Sequence, residues 1–216
     1  MKVLHVGATG KVGRHILREL VGRGHDVTVL CRHPDAAAAE FPQVRTVAGD
    51  AFDRATVAQA AAGCDAIISS VAMRDPHQVE RSAIELSRVL ASVAIEHGAR
   101  WISIGGAGSL EVEPGAQWVD RLDFPEASRR ESLGFCSALR DLRESAPAGL
   151  EWTVLSPPPV IDQERSRTGV YRIGADTMMG DLTHGYPSIS APDLGVAVVG
   201  ELEHPQHVRE RFTIAY

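Results

Sequence analysis

Three glycines lie three residues apart near the start of the chain, in the run Gly7-Ala8-Thr9-Gly10-Lys11-Val12-Gly13. Glycines so spaced let a backbone turn tightly and pass close to a pyrophosphate. The negative charge then rests on the free amides of a following helix. The flanks supply that context. Residues 1–6 read as a short apolar strand, and 14–21 carry apolar residues at helical spacing. A second strand over 26–31 closes a βαβ unit of about 30 residues, the setting in which a glycine triplet is informative. The expected chemistry is dinucleotide binding, with Gly7, Thr9, Gly10, Lys11, Val12 and Gly13 as the cradle. A plain tight turn between strand and helix is the alternative.

Arg32 follows that second strand, and this position separates the two dinucleotides. An NAD site places a carboxylate there, to accept hydrogen bonds from the ribose 2′-hydroxyl. This chain has Arg32 and His33, and no acid before Asp35; Asp26 stands at the wrong end of the strand. A guanidinium fork matches the oxygens of a 2′-phosphate, and Lys11 adds a second positive charge. NADP(H) is therefore the expected cofactor, against the alternative that Arg32 is simply solvated.

Other residues with chemical potential are weaker. Ser109 falls just past the expected fifth strand, where an open α/β sheet has its substrate crevice. It could polarise a substrate carbonyl, or merely cap local backbone. Tyr171 could face the crevice as an acid, or pack as most strand tyrosines do. His204 and His207 have ligand-like spacing but flank Pro205 in a charged turn, so surface histidines are expected and no metal. Cys64 reads as structural. The acidic stretch Glu111, Glu113, Asp120, Asp123 and Glu126 reads as a solvated loop.

The elements that must position these residues alternate. Strands are expected at 44–50, 65–72, 101–104 and 152–156, the last stopped by Pro157-Pro158-Pro159. Helices are expected at 54–62 and 79–97, the latter closed by Gly98, and within 125–145. This alternation implies α/β class: a doubly wound Rossmann parallel sheet with helices on both faces. Beyond Pro159 the pattern changes. Strands are expected at 169–173, 188–190 and 211–215, with a helix from 191 to 202 that has Pro192 near its first turn. No composition shift marks a linker. The whole chain, 1–216, is read as one domain, with 160–190 as a small substrate-side C-terminal cap region.

Composition narrows the class. The chain has 216 residues, enough for one doubly wound domain, and a formal net charge of -6, which argues against a nucleic-acid partner. No apolar run approaches membrane-span length, so no membrane partner is expected. Met1 runs straight into the first strand with no signal segment in view. Three widely spaced cysteines, Cys31, Cys64 and Cys136, suit a reducing cytoplasm better than a disulfide framework. The expected partner is a small-molecule substrate; sequence gives no oligomeric state.

With these pieces placed, the chain resembles the atypical short-chain dehydrogenase/reductases, and within them the small NAD(P)H-binding group related to NmrA-like proteins and biliverdin/flavin reductases. The matching residues are the glycine loop, Arg32, Gly49-Asp50, Gly105-Gly106-Ala107-Gly108-Ser109-Leu110, residues 152–158, and the tail from Glu201 through Arg211-Phe212-Thr213. The resemblance implies that Asp50 and Ala51 border the adenine. It places Val71 and Ala72 beside the cofactor ribose, and Pro158 to Val160 beside the nicotinamide. One departure stands out. Relatives usually carry a Tyr and, four residues later, a Lys as proton donor and partner. The only lysines here are Lys2 and Lys11, so no such pair exists, and Gly105 or Gly106 stands where relatives place a Ser. The expected function is an NADPH-dependent oxidoreductase passing a hydride to a small planar acceptor such as a flavin, quinone or enone. A dinucleotide-binding regulator without turnover and a non-redox isomerase or cyclase are the alternatives.

Overall fold

The computed structural model describes residues 1–73, 79–180, 182 and 185–216. The chain opens with β1 (Lys2–Val6), α1 (Gly13–Gly22) and β2 (Asp26–Cys31), then α2 (Pro34–Glu40), β3 (Arg45–Ala48) and α3 (Arg54–Ala61). The central part holds β4 (Ala66–Ser69), α4 (Val79–His97) and β5 (Arg100–Ile104). It continues with β6 (Glu111–Glu113), β7 (Ala116–Gln117) and α5 (Glu126–Ser145). The chain ends with β8 (Trp152–Ser156), β9 (Val160–Asp162), β10 (Arg172–Gly174), β11 (Ser188–Ser190), α6 (Ala191–Glu203) and β12 (Glu210–Ala215).

Eight strands form the main sheet, in the order β10-β12-β8-β5-β4-β1-β2-β3. All pairs are parallel except β10 with β12. The order reverses direction between β1 and β4. Crossovers lead away on both sides of that point, which leaves a crevice at the carboxyl ends of these strands.

Strand side chains alternate between the two faces, and each face builds its own core. Val3 and Val29 pack with Ile16, Leu17 and Leu20 of α1 and Leu194 and Val198 of α6. Leu4 and Ile67 pack on the other side with Val57 of α3, Leu90 of α4 and Leu139 of α5. Burying such a Leu or Ile stabilises by about 1.5–3 kcal/mol. α1 and α6 cross closely because Gly195 faces the α1 backbone, where a Cβ would come within 2.8 Å of the His15 carbonyl oxygen. Gly98 takes the positive φ of 62° that ends α4.

Two expectations need correction. The acids of the acidic stretch are solvated as expected, Glu111 in part, but the stretch is not a plain loop. β6 and β7 pair antiparallel, and Trp118, Val119 and Phe124 beyond them join Leu110, Cys136 and Met178 in a small third core. The strand expected at 169–173 forms two residues later on average, as β10, so Tyr171 precedes it. The alanine run after His33 lies in α2, entered through Pro34. β9 and β11 pair with each other in parallel, while β10 extends the main sheet. Asp193 anchors the intervening loop, accepting from the amides of Thr168 and Gly169 and from the hydroxyls of Thr168 and Tyr216.

Candidate functional site

The glycine loop leaves β1 at the reversal of strand order. Gly7 has φ of +87°, and a Cβ on it would stand 2.7 Å from the Ser70 carbonyl. At Gly13 a Cβ would stand 2.1 Å from the Gly7 oxygen. Folding alone therefore demands both glycines. Gly10 differs. Its φ is ordinary, and a Cβ there would meet only the Gly7 oxygen at 3.3 Å and the Ser70 oxygen at 3.8 Å. The bare backbone at Gly10 leaves space above the loop that no protein atom needs, which fits the pyrophosphate of a nicotinamide dinucleotide.

The amides point the same way. Among the described residues, the backbone N–H groups of Lys11, Val12 and Gly13 have no backbone partner. No side chain caps α1 and no acid lies in its first turn. Unspent amides at a helix N-terminus attract an anion. Lys11 and Arg32 are exposed and form no ion pair among the described residues. Arg14, one residue past the third glycine, reaches back to the Thr9 carbonyl at 3.5 Å.

Beneath the loop lies a buried chain of hydrogen bonds that sequence reading did not find. The Gly7 carbonyl accepts from the Gly10 amide and from the Ser70 hydroxyl, both at 3.1 Å. His5 Nε2 lies 3.1 Å from the same hydroxyl. Burial holds His5 neutral, with its pKa lowered to about 3. An Nε2–H tautomer then donates to Ser70, which donates to Gly7. A histidine inside an otherwise apolar strand was the one visible signal.

The other residues expected to border the cofactor each come after the carboxyl end of a parallel strand. Arg32 follows β2; Asp50 and Ala51 follow β3; Val71 and Ala72 follow β4; Pro158 and Val160 follow β8. Asp50 accepts from the Phe52 amide at 3.0 Å, ordering its turn. The Met73 amide donates to Glu131 of α5 at 3.0 Å, fixing the chain beyond β4.

Ser109 and Tyr171 are placed differently. Ser109 is 3% exposed; its hydroxyl donates to the Gly106 carbonyl at 3.3 Å and accepts from Arg211 at 3.2 Å. Its one hydroxyl hydrogen is thus spent within the fold. Tyr171 packs against the core on the α1 and α6 side. Burial pushes its phenol up, and the charge of Asp193 adds to this. His207 binds Glu201 at 2.8 Å and stacks on Phe212, so its ring is structural. No group of His, Cys, Asp and Glu suited to a metal occurs among the described residues.

A parallel sheet with a bare glycine turn at its reversal point, capped by unspent amides, defines a dinucleotide-binding Rossmann protein. The NAD(P)H-binding family matches residues 7–205, and the chain belongs to that family. An uncharacterised Bacillus subtilis protein, YwnB, is 33% identical over 99% of this chain and 98% of its own. A Burkholderia pseudomallei structure described as a candidate exported protein is 35% identical, with a TM-score of 0.87 and full coverage of both chains. A Streptococcus pneumoniae structure described as a candidate NADH-flavin reductase is 26% identical. It has a TM-score of 0.86 over 100% of this chain and 99% of its own. No helix among the described residues is long and apolar enough to cross a membrane.

Proposed function

We propose that this protein is an NADPH-dependent reductase of a small planar acceptor, such as a flavin, quinone or enone, working in a reducing cytoplasm. The observation that carries the reading is the pair of exposed cations, Lys11 beside the bare Gly10 turn and Arg32 after β2, which have no ion pair among the described residues. The free amides of α1 and the Gly10 turn hold the pyrophosphate, and Arg32 takes the 2′-phosphate. Asp50 and Ala51 border the adenine, Val71 and Ala72 the ribose, and Pro158 and Val160 the nicotinamide. NADPH supplies a hydride at the crevice, and the acceptor takes its proton from water. The protein's own contribution is position and the exclusion of solvent. Ser109 and Tyr171 are not assigned a proton-transfer role, because the hydroxyl hydrogen of one is already donated to Gly106 and the other packs against the core beside α1 and α6.

The reductase name of the Streptococcus pneumoniae relative supports a redox role. The missing Tyr and Lys pair favours a second reading, a regulator that binds NADPH without turning it over. Calorimetry with NADPH and NADH, followed by steady-state NADPH oxidation with flavin, quinone and enone acceptors, separates them. Turnover with at least one acceptor supports the reductase. Tight NADPH binding without turnover transfers the assignment to the regulator, and equal affinity for both cofactors removes the NADPH preference.

A further inference from the structure

A narrow slot runs from the crevice into the layer between the sheet and helices α4 and α5. Val71, Met73 and Gly105 are among its walls, and Val71 belongs to the stretch proposed above for the cofactor ribose. The space between its walls, mouth included, is about 450 Å³. Its inner room is about 30 Å³, enough for roughly two waters at 10–15 Å³ each. Among the described residues, no charged side chain lines it. Ser103 sits on β5, a central strand whose neighbours Trp101 and Ile102 are sealed, yet it is only partly buried.

The slot holds hydroxyl hydrogens with nothing to bind. Trp101 Nε1 lies 3.1 Å from Ser69 Oγ, which lies 3.1 Å from Ser103 Oγ. Three donors share two bonds, so one serine hydrogen remains over whichever way the hydroxyls turn. Across the slot, Ser87 of α4 is 6% exposed, and its hydroxyl has no partner among the described residues. Buried polar groups are rarely left so, and two of them around one open space call for an acceptor atom.

We infer that this slot takes the carbonyl edge of the acceptor, and that Ser87 and the Ser69–Ser103 pair donate hydrogen bonds to that carbonyl oxygen. The inference rests on the reductase reading and names its substrate class: a flat, uncharged ring ketone or quinone. An inner room of about 30 Å³ admits a carbonyl edge and not a bulky group. A carboxylate or phosphate would enter an apolar slot with no cation among the described lining residues to pair it. Negative charge grows on the carbonyl oxygen as hydride arrives, so donors fixed there strengthen during reaction. The reduction balances as one hydride from the nicotinamide and one proton from water, giving the hydroquinone and leaving every serine hydroxyl intact.

Trp101 lines the slot, so occupancy can be read without turnover. The probe is 1,4-naphthoquinone, followed by quenching of tryptophan fluorescence in the NADP-loaded protein and, separately, by NADPH oxidation. Wild type should show saturable quenching that is lost in Trp101→Phe and in Ala138→Leu, which fills the slot. Ser87→Ala and Ser103→Ala should each lower kcat/KM for the quinone about tenfold and leave the Kd for NADPH within twofold. Ser87→Ala removes an unpaired hydroxyl, so its Tm should not fall; that variant keeps the test valid if Ala138→Leu folds poorly. Quinone turnover untouched by both serine variants would overturn the slot. Saturable, slot-dependent quenching without turnover would keep the slot and remove the reductase. Neither quenching nor turnover would remove both.

Discussion

His5 and Ser70 meet beneath the glycine loop, with imidazole Nε2 3.1 Å from the hydroxyl that holds the Gly7 carbonyl. The ring is fully buried, and burial lowers its pKa from 6.5 to about 3. The unfolded chain takes up a proton below pH 6.5 where the fold does not. Stability attached to His5 is therefore complete above pH 6.5 and lost as pH falls toward 3, by about 1.4 kcal/mol per unit. His5→Phe should abolish this slope. Denaturant unfolding at pH 7 and pH 5 should show wild type losing about 2 kcal/mol more than the variant. Equal losses would mean that the folded imidazole accepts a proton.

Gly10→Val should abolish dinucleotide binding while the sheet still folds. The added branch occupies the space above the loop, and the protein contacts it would make are few. Gly13→Val should instead unfold the protein, since its Cβ collides with the Gly7 carbonyl. Circular dichroism melts beside cofactor titrations distinguish the pair. Native affinity in folded Gly10→Val would show that the ligand lies elsewhere.

Arg32→Ala should weaken NADPH binding about tenfold to a hundredfold and leave NADH nearly unchanged, because only the 2′-phosphate loses a charge-assisted contact. Arg32 has no partner among the described residues, so thermal stability should not move. Calorimetry with both cofactors checks this. A parallel loss for NADH would place Arg32 at some other part of the dinucleotide.

The parallel strands and the glycine turn were legible because each is written locally. A strand buried on both faces is a continuous apolar run, and a tight turn over phosphate tolerates few residues other than glycine. What escaped was written across the chain. Ser69, Ser87 and Ser103 come from β4, α4 and β5, and nothing in the spacing of three serines announces a shared slot. Ser70 reads as one more strand residue until Gly7 is seen above it. The hairpin of β6 and β7 hid behind glutamates, because its burial is supplied by Trp118 and Phe124 further along. Tyr171 and Ser109 were plausible only while their surroundings were unknown. One faces α1, and the other is consumed by Arg211.

Asp193 should govern acid stability on the side of α6. Burial opposes its ionisation, but hydrogen bonds from Tyr216, Gly169 and Thr168 outweigh this and bring its pKa from 3.8 to about 2. Its contribution is complete above about pH 4 and disappears as pH falls through 2, a loss of about 2 kcal/mol. Asp193→Asn should cost about 2–4 kcal/mol at neutral pH, because an amide N–H₂ would face the donors that the carboxylate satisfies. Its stability should vary less than that of wild type between pH 4 and pH 2, as read by thermal melts. A neutral effect would mean that the loop at 168–169 is held by other contacts.

The main sheet ends on short strands, β10 with three residues at one side and β3 with four at the other. Any sheet margin displays unpaired N–H and C=O groups that can recruit a strand from another molecule. The margin at β10 carries Ile173, 58% exposed, which would invite such growth if the strand were long. Three residues offer too brief a template for a stable ladder, and Arg172 adds a charge beside it. At the far side β3 begins with exposed Arg45. Both margins thus frustrate recruitment of a further strand, so that concentrated protein is guarded against fibrous polymerisation by the brevity of its outermost strands.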